Sequence, residues 1–284
     1  MPVPSSQDRH IIAARLKGYL NKPQEAIDLL TRALDEEPGS ARLLRFRGHR
    51  RISVRDFDGA IADLEAAAAK LPGLPDEFEL YQKDVEPDAF ALILGATEIQ
   101  DHHPTVDSLE GDPDAERYMT TLHSAVWYHL GVARYLDGQL SAALDPFIKA
   151  FETASHYESQ VASLDWSYMI LRRLGHDNRA AELLGEFAAL VDGYDEQAAG
   201  YHSRMELYSG VRDADELRAS ILDDPIQVAT VGYGLGNWYL YNGEPEKAET
   251  TFDDVLASSA RYAFAYLAAQ SEKERCGELA AAYN

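Results

Sequence analysis

The chain has 284 residues, 46 % apolar and 10 % aromatic, a composition that folds and that excludes a disordered acidic tail. Its 48 Asp and Glu outnumber 26 Lys and Arg, and the formal charge of −22 argues against duplex nucleic acid and anionic membranes, which reward basic surfaces. One cysteine, Cys276, excludes an internal disulfide or a cysteine-built zinc site, and the longest apolar run, residues 89–96, falls far short of the ~20 needed to span a bilayer.

The N-terminus has no basic stretch leading into an apolar core, so the chain as it stands reads as cytoplasmic, or as exported if a leader has been removed. Residues 1–72 read as helix hairpins. A frame opening at Gln7 keeps Ala14, Ala26, Leu30, Ala33 and Pro38. A stronger one opening at Ala41 puts Gly48 eighth, Ala60 twentieth, Leu64 twenty-fourth, Ala67 twenty-seventh and Pro72 thirty-second. Over residues 73–122 the register is lost, with Pro75, Pro87, Pro104 and Pro113 breaking any long helix. Residues 76–116 hold 13 acids and one base, Lys83. This stretch reads as an acidic insertion, ordered in part by Phe78, Leu80, Tyr81 and residues 90–94, and is expected to include the most mobile part of the chain.

Repeats resume over 123–192. The frame from Ser124 holds Gly131, Ala143, Phe147 and Ala150, with Trp127 fourth and Leu130 seventh; the frame from Val161 keeps Leu164, Leu171, Gly175, Ala180 and Leu184. Residues 193–228 read as a degenerate hairpin, helical over 198–209 and again over 213–222. The frame over 229–262 restores Gly236, Ala248, Phe252 and Val255. Residues 263–284 read as a capping helix whose run Glu272-Lys273-Glu274-Arg275 is expected to face solvent.

Five frames in one register of about 34 residues have a common physical reason. Apolar residues at helical spacing give each helix one buried stripe. Small residues at the eighth and twentieth places let the two helices of a hairpin approach to ~8–10 Å. Asp137-Gly138, Leu174-Gly175 and Asn242-Gly243 mark turns after helices. The pattern resembles the tetratricopeptide family over most of the chain. Residues 44–64, 127–136 with 165–175, and 232–243 are similar to a group of bacterial tetratricopeptide proteins without an established role; the acidic insertion departs from that group. The resemblance implies an all-α fold, a right-handed α-solenoid of helix hairpins with one acidic insertion and a C-terminal capping helix.

In that frame the second, fifth, ninth, twelfth and thirteenth places of each first helix line the concave face. They hold Arg42, Arg45 and His49, then Tyr128 and Tyr135, then Asp165, Met169, Arg172 and Arg173, then Tyr233, Asn237 and Tyr241. Arginine and tyrosine are the usual anchors of binding surfaces. Peptide-clamping relatives use Lys and Asn at the fifth and ninth places to hold a terminal carboxylate; Arg45 and His49 match in part, whereas Tyr128 and Val132 do not. Residues 42–55 carry Arg42, Arg45, Arg47, Arg50, Arg51 and Arg55 with no acid among them. Either a partner or the acidic insertion is expected to oppose that charge.

Other signals are bland. Gly232, Gly234 and Gly236 lack the preceding strand of a dinucleotide loop and read as close helix packing. Asp101, His102 and His103, with His123 further on, lack the spacing of a helical metal pair and read as a polar turn. The expectation is a non-catalytic adaptor or assembly factor, without cofactor or metal, binding an extended peptide or partner helix. Alternatives are a structural or oligomerising module closed by its own insertion, or a small-ligand or metal binder. The oligomeric state and the partner's identity stay open.

Overall fold

The computed structural model describes residues 6–79, 105–110, 120–191 and 200–282. Among them the fold is all-helical. Thirteen α-helices follow one another: α1 Ser6–Tyr19, α2 Pro23–Glu36, α3 Ala41–Ser53, α4 Phe57–Ala68, α5 Leu122–Leu136, α6 Leu140–Thr153, α7 Tyr157–Arg173, α8 Asp177–Val191, α9 Tyr201–Tyr208, α10 Ala214–Ser220, α11 Pro225–Tyr241, α12 Pro245–Ala257 and α13 Phe264–Ala282. A 3-10 turn covers Asp107–Leu109.

Local chemistry sets the ends. Ser40 and Asp56 cap α3 and α4 by accepting from the amides of Leu43 and Gly59, and Asp213 and Asp224 do the same for α10 and α11. Pro23, Pro225 and Pro245 stand in the first turns of α2, α11 and α12, where a missing N–H costs nothing. After α7 and α11, Gly175 and Gly243 take φ of 73° and 82°. The next amides, His176 and Glu244, then reach back to the Leu171 and Tyr239 carbonyls at 2.8 and 2.9 Å.

Packing carries the same repeat. A Cβ on Gly48 would stand 2.7 Å from Leu64, on Gly131 2.8 Å from Phe147, and on Gly236 2.4 Å from Phe252. In all three hairpins the large partner lies 16 positions after the glycine. Neighbouring helices pack in sequence order, α1 on α2, α2 on α3 and α3 on α4, then α11 on α12 and α12 on α13.

The chain divides into two compact units. One comprises residues 1–134 and 145–160, with Ile11, Leu30, Leu43, Phe46, Leu122 and Val126 in its core. The other comprises 135–144 and 161–284, centred on Tyr135, Trp166, Tyr233 and Leu235. In the first unit the start of the acidic stretch is extended rather than helical. Glu77 bridges Thr105 and Phe78 bridges Thr121, both antiparallel, and the Glu79 amide donates to Thr120 at 2.9 Å. Leu80, Tyr81 and residues 90–94 lie outside the described residues, as does most of the stretch 76–116, of which 76–79 and 105–110 are described.

The terminal helix needs one correction. Glu272 does not face solvent: it is 5 % exposed, because Arg173 and Arg275 provide the counter-charges that let a carboxylate leave water.

Candidate functional site

The α3 helix sorts its arginines by face. Arg47 and Arg51 turn toward α4, where buried Asp63 accepts from Arg47 at 2.8 and 2.6 Å and faces Arg51 at 3.2 Å. Arg42, Arg45 and His49, spaced three and four apart, form the opposite stripe. Arg42 meets Asp8 at 3.0 Å and Glu77 at 2.6 Å. Arg45, buried, pairs with buried Glu79 at 2.8 and 2.9 Å. The period of two in an extended segment explains this contact. Glu77 and Glu79 point one way, to the arginines, while Phe78 points the other and is buried.

Beside that stripe the rings of His49 and His129 stand 4.6 Å apart, and Tyr128 lies edge-on to His129 and Phe147. His129 Nδ1 donates to the Ala125 carbonyl at 2.6 Å. Burial, reinforced by Arg50 at His49 and by Arg45 at His129, pushes both imidazoles well below their ordinary value, so both are neutral at pH 7.

In the second unit Tyr135, Arg173 and Tyr233 converge on the carboxylate of Glu272 from α13. The two tyrosine hydroxyls are 2.8 Å apart, Tyr233 donates to Glu272 at 3.3 Å, and Arg173 binds both carboxylate oxygens. Arg275 adds a bond of 2.9 Å to the same carboxylate and one of 3.0 Å to the Leu136 carbonyl. Burial opposes the Glu272 charge, but Arg173 and Arg275 outweigh it and hold the carboxyl below its ordinary range. Asn237 is buried and donates to the Tyr233 carbonyl at 3.1 Å.

Asp165 and the Arg172–Tyr241 pair connect to that cluster through rings: Trp166 touches Tyr135, Tyr233 and Arg204, and Tyr168 touches Tyr208 and Tyr241. Asp165 forms an ion pair of 2.6 Å with Arg204, both fully buried, and burial pushes its carboxyl up to about 7. Arg204 also lies against Met169, Tyr208 and Trp166. Arg172 stacks over the Tyr241 ring at 4.5 Å and pairs with Asp177 at 2.9 Å. Gly232, Gly234 and Gly236 sit inside α11, where a Cβ would strike Val255, Arg204 and Phe252. A separate cavity of about 550 Å³ opens between α10, α11 and α12, lined by Arg218, Leu222, Val228, Leu235 and Thr251.

The predicted residues therefore fall into distinct groups: Arg42, Arg45 and His49 with Tyr128 nearby, Tyr135 with Arg173, Tyr233 and Asn237, Arg172 with Tyr241, and Asp165 with Arg204. Two of these groups hold a carboxylate from elsewhere in the chain. The acidic insertion was one of the expected sources of opposing charge, and Glu77 and Glu79 lie in it; sequence reasoning did not single out those two residues, and it missed Glu272, Arg204 and His129. Only Glu77 and Glu79 had a signal of their own, the alternation of Glu77-Phe78-Glu79. Among the described residues no group of three or more His, Cys, Asp or Glu is placed to hold a metal ion; His102 and His103 lie outside them. No described helix is long and apolar enough to cross a membrane.

The chain matches no family model and no curated protein.

Proposed function

We propose that the protein is a non-catalytic interaction module, a tetratricopeptide-type solenoid that takes an extended acidic segment of a partner protein along its α3 face. The observation that carries this reading is the seating of Glu77-Phe78-Glu79. An extended segment lies across α3 with its carboxylates on Arg42 and Arg45 and its aromatic ring buried, as a bound peptide would. The chain thus supplies its own example of the ligand chemistry. Tyr128 borders the same face, and Arg172 with Tyr241 would give a second contact region. In this reading the hairpins act as a rigid frame and no bond is made or broken.

The same ion pairs favour a second reading, a structural module whose face is filled by residues 77–79. Affinity purification with three forms of the full chain separates the two. Glu77→Gln with Glu79→Gln vacates the face, and a binding module should then recover more of its partner than the native chain does. Arg42→Gln with Arg45→Gln should recover less. Identical co-purifying proteins across all three forms would leave only the structural module.

A further inference from the structure

The cavity between α10, α11 and α12 is walled by residues drawn from 218–259, within the second unit. Along α11, Val228, Gly232 and Leu235 line it, spaced four and three apart as one helix face, and α12 contributes Thr251 and Ala257. Small groups on these walls keep it open. A Cβ on Gly232 would stand 2.8 Å from Val255, so no side chain can grow from that position to fill the space. Thr251 spends its hydroxyl on the Lys247 carbonyl at 2.7 Å, and Ala257 offers one methyl. Close-packed interiors leave few voids larger than a water molecule, whereas about 550 Å³ falls among small-ligand pockets, ~300–1,000 Å³.

The charged groups of the lining are exposed, at the mouth, and acids outnumber bases. Arg218 pairs with Asp254 at 2.6 Å. Asp223 adds a second carboxylate, next to Leu222, an apolar side chain left 68 % exposed at the same edge. The last turn of α12 reaches the wall at Ala257 and brings the partial negative charge of a helix C-terminus. The opposite charge at the start of α11 is already met by Asp224, which accepts from the Ile226 amide at 2.8 Å.

We propose that this cavity binds a small amphiphilic amine, with its apolar body against Val228, Leu235 and Ala257 and its ammonium head at the mouth on Asp223 and Asp254. Asp254 can serve both the ligand and Arg218, because an ionised carboxylate has lone pairs for several donors. An acid with the same apolar body would meet two carboxylates and a helix C-terminus at the entrance. The −22 charge of the chain works in the same direction, gathering cations and repelling anions. The site is separate from the Glu77 and Glu79 contacts and does not depend on the proposed partner.

Titration calorimetry on the full chain tests this, with octylammonium, butylammonium and octanoate as probes at equal ionic strength. Octylammonium should bind saturably with one molecule per chain. It should bind at least ~10-fold more tightly than butylammonium, which has the same head and half the apolar length, and more tightly than octanoate, which has a similar chain and the opposite charge. Val228→Trp, which fills the cavity from α11, should weaken octylammonium binding at least ~10-fold. Ala257→Phe fills it from an exposed position on α12 and serves if Val228→Trp does not fold. Asp223→Asn should weaken octylammonium roughly 2–5-fold, as suits an exposed charge, and narrow its lead over octanoate. Three results would each overturn the proposal: no saturable binding of octylammonium, butylammonium or octanoate binding as tightly, or native-like binding by a folded Val228→Trp or Ala257→Phe chain.

Discussion

Asp165 and Arg204 are the most fully enclosed ion pair of the second unit, and their value lies in their being together. Removing one side of a buried pair strands the other charge, whereas replacing both with apolar groups of similar volume does not. Asp165→Ala should therefore cost about 3–5 kcal/mol in chemical denaturation. The double change Asp165→Leu with Arg204→Met should recover most of that loss, and a double variant as unstable as the single one would assign the effect to packing instead. His49 and His129 make a prediction about pH. Their folded pKa values lie well below the ordinary 6.5, so the unfolded chain binds protons that the folded chain refuses. The stability they contribute is complete above pH 6.5 and is lost as pH falls below it. Lowering the pH from 7.5 to 5.5 should therefore destabilise the native chain through these two rings, against the opposite trend of Asp165, whose carboxyl burial raises to about 7. A His49→Gln, His129→Gln chain should accordingly show a flatter pH dependence than the native one, and an equally steep curve would place the titration elsewhere.

At the scale of helices, the hairpin contact was legible in the sequence, because it depends on one small and one large residue at fixed spacing. Gly131→Ala and Gly236→Ala should each cost about 1–3 kcal/mol, since the new methyl must displace the Phe147 or Phe252 ring. Gly185 is the contrast. It lies within α8 with nothing within 4 Å of a Cβ. Gly185→Ala should stabilise by about 0.5–1 kcal/mol through helix propensity alone. Equal effects at Gly185 and Gly131 in thermal unfolding would mean that backbone freedom, not close approach, governs both. The pairing of charges was not legible in the same way. Glu272 stands in an alternating acidic and basic run that reads as a solvated face, and only the convergence of Arg173 and Arg275 shows why it is buried. Arg204 lies in the hairpin whose repeat frame is eroded, so no register assigned it an inward place. Arg42 and Arg45 could be placed on one face from spacing. That Glu77 and Glu79 would meet them depended on an extended pairing with Thr105 and Thr120, which no local pattern in residues 76–116 specifies.

For the whole molecule the controlling quantity is the charge of −22. The buried pairs Arg45–Glu79, Arg173–Glu272 and Asp165–Arg204 are shielded from salt by their burial. Exposed pairs such as Lys149–Asp145 and Arg218–Asp254 are screened by it, but such pairs add little to stability at any ionic strength. What remains is repulsion among unpaired carboxylates, which the compact state concentrates and the unfolded state relaxes. Screening should therefore favour the folded chain. Raising sodium chloride from about 20 to about 300 mM at pH 7.5 shortens the Debye length from roughly 20 Å to under 10 Å. Over that range the melting temperature should climb by several degrees, followed by circular dichroism at 222 nm. A melting temperature that falls as salt rises would mean that the exposed ion pairs outweigh the excess of negative charge, and that the acidic surface is organised rather than merely tolerated.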